Sequence, residues 1–91
     1  MGKVIYKYKL DNPNETRIIM PEATEILCVQ MQFGSPVIWA MVDPDLPPQE
    51  RVFEILGTGK AMEGNVNRKY IGTFQMGEGR LVFHVFEELK N

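Results

Sequence analysis

From Ile26 to Phe33 the chain reads ILCVQMQF, with Leu27, Val29, Met31 and Phe33 alternating against Cys28, Gln30 and Gln32. A period of two sends alternate side chains to opposite faces of a strand, whereas a helix needs apolar residues to recur near every 3.6 positions. No stretch of ten or more residues shows the helical period, and PEATEI and AMEGNV are too short for more than a single turn. Strands must therefore build the core.

Six further segments rich in Val, Ile, Tyr and Phe read as strands, each bounded by Gly, Pro, Asn or Asp. KVIYKYKL (3–10) places Val4, Tyr6, Tyr8 and Leu10 on one face and Lys3, Lys7 and Lys9 with Ile5 on the other. DNPNE is turn chemistry, so TRIIM (16–20) is expected to return as its hairpin partner and to end at Pro21. GSP turns the chain into VIWAMVD (37–43), and the proline-rich PDLPPQ (44–49) is expected to be loop, since proline cannot donate to a central ladder. RVFEIL (51–56), RKYIGTFQM (68–76) and RLVFHVFEE (80–88) follow, the last two joined by GEG as a second hairpin. The reading is a single all-β domain over residues 1–91, with about seven antiparallel strands in a small β-sandwich or barrel and little or no helix.

Composition narrows the function classes. Ten basic against twelve acidic residues give a formal charge of −2, which supplies no summed positive field for a nucleic-acid backbone. The longest apolar run, VIWAMV, falls far short of the roughly 18 residues that cross a bilayer. One cysteine cannot make an intramolecular disulfide, and no signal-peptide pattern opens the chain, so a cytoplasmic protein is expected. VIWAMV and LVFHVF are apolar on both faces with no helix to cover the second, which points to a homo-oligomer, the competing explanation being a barrel lined on the inside and dressed by loops outside.

The candidate chemistry centres on EILGTGKAMEGN (54–65). Gly57, Thr58, Gly59 and Lys60 can form a backbone nest for phosphate oxygens, with Arg68 and Lys69 as charge partners and Trp39 as a stacking surface for a base. A Walker A loop and a dinucleotide fingerprint are both excluded, the first by spacing and the second by the missing helix. The structural alternative is a bulged turn at a strand end. His84 is the single histidine; with Glu54 or Glu87 it would be the centre of a small hydrolase, although it reads more simply as a packed or interface residue. One Cys and one His cannot make a structural zinc centre, so no metal or cofactor is expected; Cys28 is read as structural, Asp43 and Asp45 as a turn, and FEEL (86–89) as a solvated terminus.

VIWAMVDPD, FEILGTG, YIGTFQ and LVFHVFE, in this order and over nearly the whole chain, resemble a family of short uncharacterised bacteriophage and prophage proteins. Lys60 stands where other members of that family carry histidine, which weakens any role for an imidazole there. The resemblance implies a protein that acts in the host cell by binding, without catalysis. The expected function is counter-defence, as an oligomer that sequesters a nucleotide-type host signal at the glycine-rich loop. The alternatives are an inhibitor of a host enzyme or defence factor, the small hydrolase, and a virion or assembly accessory.

Overall fold

The computed structural model describes residues 2–89. Seven strands succeed one another: β1 (Val4–Lys9), β2 (Glu15–Pro21), β3 (Glu25–Gln32), β4 (Ser35–Val42), β5 (Pro48–Gly57), β6 (Arg68–Met76) and β7 (Leu81–Glu88). They form two antiparallel sheets, ordered β1-β4-β3 and β2-β5-β7-β6. Among the described residues there is no helix, and hence none long and apolar enough to cross a membrane. The Cα envelope measures 43 × 33 × 17 Å, so the core is a single layer of interdigitating side chains between two sheets.

That layer is what the alternation predicts. Ile38, Ala40 and Val42 of β4 meet Phe53 and Ile55 of β5, Ile18 and Met20 of β2, Phe74 of β6 and Val85 of β7, all buried. Phe53 is the largest fully buried side chain. The sheets approach most closely where the edge strands β3 and β6 meet, and Gly72 makes that approach possible: a Cβ there would lie 2.5 Å from Cγ1 of Val29.

Three expectations need correction. β1 and β2 do not form a hairpin: β1 pairs with β4, and β2 pairs with β5 in the other sheet. The DNPNE segment crosses between sheets because the Asn12 carboxamide accepts from the amides of Asn14 (3.0 Å) and Glu15 (3.3 Å), while the Leu10 amide donates to the Pro36 carbonyl (3.1 Å). Secondly, β5 begins at Pro48, inside the stretch read as loop. The ladder to β7 begins only at Val52, so Pro48 faces a single neighbour, β2, and its missing N–H breaks no bond on the other side. Thirdly, Phe33 does not continue the apolar face of β3. A bulge between Ile26 and Cys28 resets the alternation, so Ile26, Val29 and Met31 face the core, Leu27 is exposed, and Phe33 falls in the two-residue turn to β4.

The apolar outer face of β4 is covered in part from within the chain. Val37 is only 1% exposed. The Lys7 ammonium reaches the Gln32 carboxamide (2.7 Å) and the Trp39 indole N–H donates to that of Gln30 (3.1 Å), so long polar side chains of β1 and β3 lie across the central strand. Their methylene stems shield Val37 while their polar ends stay wet.

Candidate functional site

The outer face of the four-stranded sheet brings together Glu54, Arg68 and His84 of the residues singled out from sequence, with Thr58 bonded to His84 from the turn after β5. In register it reads as rows: Arg17, Val52, Glu88 and Arg68; then Glu15, Glu54, Phe86 and Tyr70; then Leu56, His84 and Thr73; then Val82 and Gln75. A bulge between Tyr70 and Gly72 puts Tyr70 and Thr73 on the same face, three positions apart, where strict alternation would separate them.

A chain of hydrogen bonds runs along this face. The Tyr70 hydroxyl lies 2.5 Å from Thr73 Oγ1, which is 3.0 Å from His84 Nδ1; His84 Nε2 is 2.8 Å from Thr58 Oγ1, and that hydroxyl donates to the Val82 carbonyl at 3.1 Å. For a neutral imidazole, one proton assignment satisfies every contact. Thr58 gives its hydrogen to Val82, so it must accept from Nε2–H; Nδ1 then accepts from Thr73, and Thr73 accepts from Tyr70. In the neutral form His84 is therefore expected to carry its proton on Nε2, which imidazole ¹⁵N shifts report directly. Thr73→Val should redistribute the tautomers and cost about 0.5–1.5 kcal/mol in urea unfolding. A wild-type ring protonated on Nδ1 would refute the assignment.

The glycine-rich loop is a tight turn at the end of β5. The Thr58 amide donates to the Val82 carbonyl (3.1 Å) and the Lys60 amide to the Gly57 carbonyl (3.1 Å), with Gly59 at φ +88° making the turn possible. Two of the amides a nest would aim at a phosphate are thus already donated inward. Arg68 Nε donates to Glu54 Oε2 (2.7 Å) and Nη2 to the Glu63 carbonyl (2.6 Å), tying the loop to β5 and β6. The bond to Glu54 raises the pKa of the guanidinium against the opposing effect of burial.

Lys60 and Arg68 line one groove of about 230 Å³, together with Glu15, Glu54 and Glu63. Three carboxylates beside two cations leave no surplus positive charge for a polyanion. Lys69 pairs with Glu87 in register, so it faces the other side of the sheet, and Trp39 belongs to the other sheet altogether. The exposed aromatic residue on the loop's face is Tyr70, 55% exposed, its ring packed edge-on against Phe86 of the same row with centroids 5.5 Å apart.

The whole chain, residues 1–91, matches the family described as a domain of unknown function, DUF7352. It belongs to that family. No curated protein and no solved structure matches it. In this DUF7352 protein neither carboxylate considered for a hydrolase touches His84. Glu54 is held by Arg68, and Glu87 lies on the core-facing side of β7, 6% exposed, where Arg51 Nε (2.5 Å) and Nη2 (2.7 Å) clamp it. The expectation of a solvated FEEL terminus is corrected at that residue. It alternates with Val85 and Phe83 towards the core, and burial is tolerated because the guanidinium meets both carboxylate oxygens.

Asp43 behaves as turn chemistry, its carboxylate accepting from the Asp45 amide at 3.1 Å. Among the described residues no group of three or more His, Cys, Asp or Glu side chains could hold a metal ion. Sequence reasoning missed Tyr70 and Thr73 because the bulge that aligns them leaves only Gly72 as a trace.

Proposed function

We propose that this DUF7352 protein is a non-enzymatic binding module that engages a protein partner through the outer face of its four-stranded sheet. One observation carries the reading: an exposed tyrosine is fixed, through Thr73, His84 and Thr58, on an open face that also presents Phe86 in its own row and Val52, Leu56 and Val82 in the others. A tyrosine already held in place loses little conformational entropy on contact, which suits it to anchor an interface. Small-molecule sites, in contrast, are concave and bury most of their ligand.

The likeness to phage proteins supplies the partner class, a host enzyme or defence factor, and makes inhibition by covering the more economical form of counter-defence. Nucleotide sequestration is the second reading, favoured by the position of Lys60 beside Arg68. The experiment compares proteins retained from bacterial extract by the immobilised wild type and by Tyr70→Glu, with circular dichroism confirming that both are folded. A partner held by the wild type and lost at least about tenfold by the variant supports the proposal. Identical retention by both overturns it. Calorimetry against mono-, di- and cyclic nucleotides is expected to give no heat, and a signal there would favour sequestration.

A further inference from the structure

The connection from β3 to β4 is a two-residue hairpin turn in which Gln32 pairs with Ser35, and both central residues have positive φ: Phe33 at +50° and Gly34 at +79°. This is the backbone of a type I′ turn, which ordinarily takes Asn-Gly or Asp-Gly because a bulky side chain in the left-handed region is strained. Phenylalanine is a poor choice on local grounds. It gains nothing inside the chain either, since the residue is 96% exposed. A strained residue with no internal contacts to compensate for it marks a place where strain serves an external contact.

At the same end of the sandwich a depression of about 250 Å³ opens into the core, lined by Leu10, Pro13, Pro36, Phe74, Met76 and Phe83 among others. Phe74 and Phe83 stack at 5.5 Å with planes 26° apart, giving its base an aromatic wall. Pro36 is three residues beyond Phe33, and the Leu10 amide is bonded to its carbonyl, so knob and socket belong to one connected piece of surface.

We infer that Phe33 of one copy inserts into the Leu10–Pro36–Phe74–Phe83 socket of a second copy, and reciprocally, forming a weak twofold dimer. Knob and socket on one connected surface allow a closed, isologous pair, in which each subunit gives and receives the same contact. The area sets the strength. Each aromatic ring buries about 150–250 Å², and two rings with two matching walls give on the order of 600–1,000 Å², below the roughly 1,200 Å² at which stable interfaces begin. The dimer therefore forms at high protein concentration and dissociates on dilution. This inference is independent of the sheet-face reading, which uses other residues on another surface.

Phe33→Asn tests it cleanly, because asparagine is the preferred residue for this backbone and the variant should fold with a thermal midpoint at or above that of the wild type. Sedimentation velocity and amide NMR are recorded on the full chain from about 0.05 to about 1 mM. The wild type should show concentration-dependent mass, with shifts at Asp11, Met76 and Phe83, and the variant should weaken association at least about 30-fold. A wild type that remains monomeric throughout overturns the inference and leaves Phe33 as an anchor for a different protein. Undiminished association in the variant, or shifts confined to the outer sheet faces, also overturns it.

Discussion

Arg51→Met and Glu87→Leu, made singly, are each expected to cost about 3–5 kcal/mol, whereas the double substitution should fall within about 1 kcal/mol of the wild type. The pair lies on the core-facing side, with side chains 17% and 7% exposed, so deleting one partner strands the other charge away from water. Replacing both with apolar residues of similar size removes the desolvation cost together with the attraction, which is why the double variant recovers. Part of the loss persists, because Arg51 Nη1 also donates to the Thr24 carbonyl at 2.5 Å, in the segment that leads into β3 of the opposite sheet. Against a total stability of about 5–15 kcal/mol, either single variant gives up a large share, and urea unfolding would read the difference directly. Additive single costs in the double variant would show that the two residues act independently.

The same pair shows where sequence stops being informative. Arg51 and Glu87 stand at alternating positions in segments that read plainly as strands, yet the positions are core-facing and the residue types suggest the surface. Charged residues are almost never fully buried unless paired, and the pairing joins residues on different strands, 36 positions apart. FEEL therefore read as a solvated end when one of its glutamates closes the core. Strand content and the β6–β7 hairpin were legible because both depend on local periodicity and turn residues. The separation of β1 from β2 was not, because it follows from which partner each strand finds at long range.

Bulges account for the rest of the site. A period-two reading of RKYIGTFQM groups Tyr70 with Phe74 and sets Thr73 on the other face; the extra residue at Ile71 reverses that relation beyond it. His84 gains its contacts only through that reversal on one side and through the β5 turn at Thr58 on the other. The glycine-rich stretch thus contributes a threonine side chain to the site, while the Thr58 and Lys60 amides close the turn. The second face of β4 was read as needing another subunit, and Lys7, Gln30 and Gln32 answer part of that need within the chain. Long polar side chains covering apolar neighbours are invisible to a pattern that scores each residue as simply apolar or polar.

Gly72→Ala gives the sharpest test of how the two sheets are held together. The added Cβ would stand 2.5 Å from Val29 Cγ1, far inside contact distance, and 3.7 Å from both Val29 Cβ and the Val29 amide nitrogen. Valine has few rotamers to yield with, and Val29 is itself buried, so the clash is relieved by moving β3 and β6 apart. Overpacking of this kind costs about 1–3 kcal/mol, and each kcal/mol lowers the thermal midpoint of a domain this size by about 4–8 °C. Val29→Ala removes the obstructing methyl and leaves a cavity that the new Cβ partly fills. The double variant should therefore be more stable than the sum of the single effects by about 0.5–3 kcal/mol. If the two substitutions simply add, Gly72 is not what brings β3 against β6. The bulge beside it shares this dependence, since the twist that aligns Tyr70 with Thr73 arises one residue before the contact with Val29. Prising the sheets apart at Gly72 should then also disturb the imidazole ¹⁵N shifts of His84, which connects the packing of the core to the face on which the partner is proposed to bind.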